Sequence, residues 1–142
     1  MHSIRDILRE KGTTVRSIEA DETVFEAIRQ MAEYGIGALL VVEGGKPVGL
    51  LSERDYSRKI ILRGLRSRET AVRTIMSSPL LTISPDASVQ EALSMMTDRY
   101  IRHLPVADDS GVIGMVSIGD LVKAVIEDQQ SLIEQLESFI VR

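Results

Sequence analysis

The chain is written twice. Shifted by 65 positions, segment 18–61 falls on segment 83–126 without a gap. Identical pairs are Ile18/Ile83, Asp21/Asp86, Val24/Val89, Glu26/Glu91, Ala27/Ala92, Met31/Met96, Ile36/Ile101, Leu39/Leu104, Val41/Val106, Gly49/Gly114, Ser52/Ser117, Asp55/Asp120 and Ile61/Ile126. Others are alike, among them Thr23/Ser88, Ile28/Leu93, Val48/Ile113 and Leu51/Val116. A gapless doubling constrains the fold strongly. Whatever one copy forms the other must form, and a unit too thin to bury its own core can lean on its twin.

Each copy reads strand, helix, strand, strand, helix. A short strand is expected at Val15–Ile18 and again at Leu81–Ile83. Thr23 with Glu26, and Ser88 with Glu91, have the spacing of a capping box. Behind them, Val24, Ala27, Ile28 and Met31 recur at helical spacing, as do Val89, Ala92, Leu93 and Met96. Two apolar strands follow, "GALLVV" then "VGLLS", and in the twin "HLPVA" then "IGMVS". The turn between them contains Gly44 and Gly45 in the first copy. A second helix starts at Ser52 or Ser117. The pattern gives an α+β chain divided into an N-terminal helical segment (1–14), repeat one (15–63), a linker and entry to repeat two (64–80), repeat two (81–128) and a C-terminal helix extension (129–142). That last helix, expected from Asp120 to about Ile140, carries Leu132, Leu136, Phe139 and Ile140 on one stripe, suited to packing or to docking a partner.

Composition narrows the function. A formal net charge of -4 argues against a general nucleic-acid binder. One basic stretch runs the other way: within 54–73, Arg54, Arg58, Lys59, Arg63, Arg66, Arg68 and Arg73 face only Asp55 and Glu69, a pattern that ordinarily marks a solvated face. With no cysteine there is no disulfide and no thiolate metal site, which fits a reducing cytoplasm. The amphipathic, charged N-terminus does not read as a signal peptide, and the longest apolar run, Ala38 to Val42, is far too short to span a bilayer. No nucleophile–base–orienter set and no glycine-rich phosphate loop is visible, so an enzyme is not expected. No metal set is visible either. His2, near a terminus, is expected on the surface or disordered.

The doubled β-α-β-β-α order, with "GLLSERDYSRKI", "IRHLPVADDSGVIGMVSIGDLVKAVI" and "TIMSSPLLTISPD", resembles a tandem pair of CBS domains over about residues 4–128, and particularly a stand-alone bacterial CBS-pair protein. The resemblance implies two pseudo-symmetric repeats packed through their sheets, with two clefts that take adenosine compounds: AMP, ADP, ATP, NAD or S-adenosylmethionine. It implies a homodimer, and a regulatory, energy-sensing role relayed to a partner protein.

The Ser-x-x-Asp turns at Ser52–Asp55 and Ser117–Asp120 have two compatible readings. One is a helix cap. The other is a carboxylate that accepts the two hydroxyls of a ribose beside free helix N–H groups. By the resemblance, the main cleft combines Ser52, Arg54 and Asp55 with Ile75, Met76, Ser77, Thr82, Ile101, Arg102 and His103. The second combines Ser117, Gly119 and Asp120 with Ile36, Gly37, Ala38 and the segment around Leu8. Arginine grips phosphate with paired donors, so Arg54 and Arg102, with His103, imply a phosphate preference for the Asp55 cleft. Gly119 stands where the twin has Arg54. The competing expectation is a ligand-free dimeric scaffold that docks through its C-terminal helix.

Overall fold

The computed structural model describes residues 2–141. It contains two compact units: Val15–Leu81, and Met1–Thr14 joined with Thr82–Arg142.

In the Val15–Leu81 unit, β1 (Ser17–Glu19) pairs parallel with β2 (Ala38–Glu43), which pairs antiparallel with β3 (Lys46–Ser52). Gly44 and Gly45 both have positive φ, 57° and 77°, as a two-residue hairpin turn that matches the strand twist requires. Helix α2 (Val24–Tyr34) lays Val24, Ala27 and Met31 into a core with Ile18, Leu39, Val41 and Leu51. After β3 the chain forms a single α-helical turn, α3 (Glu53–Asp55), and then a π-helical segment (Tyr56–Ile61) in place of one regular helix. The region 64–80 is not a loose connector. It holds α4 (Val72–Ile75), whose Val72 and Ile75 are completely buried in the same core.

The other unit begins with α1 (Ile4–Lys11) and resumes with α5 (Val89–Arg99), β4 (His103–Asp108), β5 (Gly111–Ser117) and the long α6 (Ile118–Val141). Strands β4 and β5 pair antiparallel, with a register break between Val106 and Ala107 at the place equivalent to the Val41/Val42 break of β2 and β3. The expected strand at Leu81–Ile83 is reduced to one parallel bridge, Ile83 to Val106: Pro85 stands where Ala20 donates to Val42 in the first copy, and Pro105 where Leu40 donates to the Arg16 carbonyl. Prolines carry no N–H for a ladder, so pairing there cannot extend. In the first copy β1 lies at Ser17–Glu19 instead of Val15–Ile18. The Ser88 capping box is complete, whereas Thr23 is half of one: its Oγ1 accepts from the Glu26 N–H, but Glu26 turns its carboxylate to Arg29 and Gln30.

A second repetition, invisible at an offset of 65, ties each unit together. The segment before each repeat docks on the other repeat. Ile4, Arg5, Ile7 and Leu8 correspond to Val72, Arg73, Ile75 and Met76 at an offset of 68. The Ile4 and Val72 N–H groups donate to the carbonyls of Ala87 and Glu22; those of Arg5 and Arg73 donate to Pro85 and Ala20. Arg5 pairs with Asp86 and Arg73 with Asp21. Leu8 sits over Gly114 of β5, and Met76 over Gly49 of β3. A Cβ on Gly114 would stand 2.7 Å from Leu8 Cδ2, and one on Gly49 would stand 2.7 Å from the Ser77 carbonyl oxygen and 2.9 Å from Met76 Sδ. The repeated glycine therefore leaves room for the docking segment.

Candidate functional site

Both Ser-x-x-Asp turns sit where an antiparallel strand ends in a helix start, so each presents a carboxylate at the mouth of its hairpin. Asp55 and Asp120 accept the backbone N–H of Ser52 and Ser117 at 3.0 and 2.8 Å, and the two serine hydroxyls accept the Asp55 and Asp120 N–H groups at 3.3 and 3.2 Å. The cap is real in both copies.

Each carboxylate has one further strong partner, and in both cases it is a lysine. Lys59 Nζ lies 3.1 Å from Asp55 Oδ1 and donates to the Ile75 carbonyl at 2.9 Å. Lys11 Nζ lies 2.7 Å from Asp120 Oδ2 and donates to the Met115 carbonyl at 2.9 Å. The lysines do not correspond in sequence. Lys59 follows Asp55 by one helical turn, while Lys11 comes from the end of α1. The i,i+4 spacing of Asp55 and Lys59 is legible in sequence. Nothing in the sequence marks Lys11.

The two turns differ in how fully they are satisfied. Asp55 also accepts the Ser52 and Ser77 hydroxyls, each at 3.1 Å, and its side chain is only 11% exposed. Asp120 is 24% exposed. Burial is the largest single influence on Asp120 and pushes its carboxyl upward; the Lys11 ammonium and the Ser117 backbone N–H together outweigh it and hold the carboxyl below its ordinary value. His103 pairs with Ser117 across the β4–β5 hairpin. Burial chiefly, then the positive charge of Lys11, lowers its pKa below 6.5 against the opposing pull of Asp120, so its imidazole is neutral at pH 7.

The residues expected to share a cleft are thus distributed as follows. Ser52, Arg54, Asp55, Ile75, Met76 and Ser77 stand together in the Val15–Leu81 unit, joined by the Leu50–Ser77 backbone pair. Ile36, Gly37 and Ala38 are in that unit too: the Gly37 carbonyl accepts from the Glu53 N–H, and Ala38 pairs with Ser52. Leu8, Ser117, Gly119 and Asp120 stand together in the other unit, where Leu8 packs on β5. Thr82, Ile101, Arg102 and His103 belong to it as well, and the Arg102 carbonyl accepts from the Ile118 N–H at the start of α6.

His2 departs from expectation. It is neither disordered nor fully exposed: its side chain is 17% exposed, with Nδ1 2.7 Å from Asp128 Oδ1, and this hydrogen bond above all raises its pKa over 6.5. The fold also assembles a potential ligand set that the spacing hid, His2 with Glu10 and Glu127. No helix among the described residues is long and apolar enough to cross a membrane.

Comparison with known proteins matches this architecture. The family model for the CBS domain fits residues 4–62 and 72–127. The chain is 40% identical over 147 aligned residues to the mitochondrial CBS domain-containing protein CBSX3 of Arabidopsis thaliana, covering 97% of this chain and 71% of that one. It is 33% identical to the CBS domain-containing protein YhcV of Bacillus subtilis, covering 85% and 84%. Among solved structures, a Burkholderia ambifaria protein with CBS domains superposes with a TM-score of 0.87 at 44% identity, covering 90% of this chain and 96% of that one.

Proposed function

Since this chain belongs to the CBS-domain family, we propose that it is a regulatory module that binds an adenine nucleotide at its Ser-x-x-Asp turns and relays occupancy to a partner protein. The family's modules generally take adenine nucleotides. The observation that carries the reading here is the pair of capped aspartates, each holding a lysine ammonium: Lys59 on Asp55 Oδ1, opposite the cap, and Lys11 on Asp120 Oδ2, the oxygen that also accepts the Ser117 N–H. A ribose cis-diol can donate to such a carboxylate in place of the ammonium, and the displaced lysine is then available to a phosphate. The cap alone does not require such a cation at both turns. AMP, ATP, NAD and S-adenosylmethionine all present the adenosine end that this device would read.

The Asp55 turn is the proposed phosphate-preferring site, because Arg54 stands where its twin has Gly119. Its aspartate is already held by four donors, so a nucleotide must exchange partners there. Asp120 has fewer partners and a single lysine to release.

Isothermal titration of AMP, ATP, NAD and S-adenosylmethionine into ligand-stripped protein tests the proposal. At least one is expected to bind saturably. Loss of charge-assisted hydrogen bonds of about 1.5–3 kcal/mol predicts that Asp55→Ala or Asp120→Ala weakens binding about ten- to hundredfold at its own turn. No heat and no thermal shift with any of the four would overturn it. The scaffold reading is favoured by a different observation: Leu132, Ile133, Leu136, Phe139 and Ile140 of α6 are 47–80% exposed. Such a stripe suits a helix partner, including a second copy of this chain.

A further inference from the structure

We propose that His2, Glu10 and Glu127 form a binding site for one zinc-like divalent cation, with Asp128 orienting the histidine. The site lies wholly within the unit that joins Met1–Thr14 to Thr82–Arg142. Its ligands come from three places: the residue before the α1 cap, the last turn of α1, and the middle of α6. His2 and Glu10 border an open depression of about 310 Å³ that Asp6, Arg9 and Asp128 also line.

The distances favour coordination over a simple ion-pair cluster. Charge-assisted hydrogen bonds run about 2.7–2.9 Å, and the His2 Nδ1 contact to Asp128, at 2.7 Å, is one. The other ring nitrogen behaves differently. His2 Nε2 is 3.3 Å from Glu10 Oε1 and 3.5 Å from Glu127 Oε2, and the three candidate ligand atoms lie within 4.8 Å of one another. A tetrahedral ion with bonds of about 2.0–2.1 Å sets neighbouring ligand atoms about 3.3–3.4 Å apart. Two edges of that tetrahedron are therefore already in place, and rotation of one exposed glutamate closes the third.

The hydrogen bonding points the same way. With Nδ1–H donated to Asp128, the Nε2 lone pair faces two carboxylates, which is the carboxylate–histidine–metal arrangement in which the second carboxylate fixes the tautomer and the ring. Without a cation that lone pair faces carboxylate oxygens with no donor between them; a protonated ring supplies one Nε2–H for two glutamates, a long hydrogen bond of 3.3 Å to Glu10 with Glu127 left at 3.5 Å. Local countercharge is weak. Arg9 reaches Asp6 at 3.6 Å and Lys123 reaches Glu127 at 3.9 Å, both on exposed side chains. One imidazole and two carboxylates suit zinc and its first-row neighbours better than magnesium or calcium, which want six or more oxygens. Three protein ligands leave the fourth position to water.

The test uses the full chain, chelator-stripped and with nothing added at its N-terminus. Zinc is titrated calorimetrically, and cobalt is followed by its visible absorption. One zinc per chain is expected, with intense cobalt bands of tetrahedral nitrogen–oxygen coordination. Glu10→Gln and Glu127→Gln should each weaken zinc at least tenfold, and Asp128→Asn ten- to hundredfold. Metal-free thermal unfolding of every variant checks folding. Glu127→Gln, on a side chain 40% exposed, serves as the decisive variant if Glu10→Gln does not fold. Absence of saturable zinc binding overturns the site, as does stoichiometric binding that Glu127→Gln leaves unchanged.

Discussion

Replacing Gly114 by alanine puts a methyl carbon where Leu8 already is. The new Cβ would stand 2.7 and 2.8 Å from the two Leu8 methyl carbons and 3.3 Å from Cγ. Ordinary carbon–carbon contact is about 3.5–4.0 Å, so Leu8 must retreat by roughly 1 Å. It cannot do so by swinging one methyl, because both are in contact, and it is 4% exposed. Overpacking of this kind costs about 1–3 kcal/mol. Gly114 is an ordinary strand residue with no positive φ, so alanine returns about 0.4–1 kcal/mol by narrowing the unfolded ensemble. The net expectation is a loss of about 1–2 kcal/mol. Leu8→Ala alone leaves a cavity and costs about 2–5 kcal/mol. In the double variant the alanine methyl enters space that Leu8 vacated, so the two costs should fall short of their sum by about 1–2 kcal/mol. Gly49→Ala is the internal control. Its obstacle is the Ser77 carbonyl, a backbone group held to Leu50 by hydrogen bonds of 2.8 and 3.0 Å in both directions. Backbone yields less readily than a leucine tip, so Gly49→Ala should cost more than Gly114→Ala. Urea unfolding followed by circular dichroism measures all four variants, with unchanged m-values required for the comparison. Additivity of Leu8→Ala and Gly114→Ala within about 0.5 kcal/mol, or a milder Gly49→Ala, would refute the docking argument.

The Asp120 carboxyl is held below 3.8 in the folded chain, so its stabilisation is complete above the unfolded value and disappears as pH falls through the lower, folded value. The stability gap between wild type and Lys11→Met should therefore be widest near pH 6 and narrow below about pH 4; a gap constant over that range would contradict the Lys11–Asp120 assignment. On the scaffold reading, in which the exposed α6 stripe joins two copies, deleting residues 129–142, whose side chains from 129 to 141 are all exposed, should leave the fold of each chain intact by circular dichroism and lower the mass measured by light scattering from two chains to one. An undiminished oligomer would place the subunit contact elsewhere.

What could be read from the sequence depended on whether partners shared a repeat. The capped aspartates were legible because Ser52, Asp55 and their twins sit three residues apart, within one turn of helix. The core was legible for the same reason, since Val24, Ala27 and Met31 recur at a helical period and return 65 residues later. The docking segments were harder. Leu8 and Met76 are twins at an offset of 68, three residues out of step with the rest, and the slack is absorbed before each first strand. A gapless comparison therefore stops at residue 18 and treats 64–80 as a connector, although Val72 and Ile75 are completely buried. Lys11 and His2 were hidden more deeply. Each meets its partner across more than a hundred residues, Lys11 at Asp120 and His2 at Asp128. The repeat copies an aspartate and leaves its cation to be supplied locally, from the following helical turn at Asp55 and from α1 at Asp120. On the proposed reading, two turns of one duplicated pattern can then diverge in affinity without changing the turn, because neither cation is itself repeated: Lys59 has Ala124 as its twin, and Lys11 precedes the doubled segment.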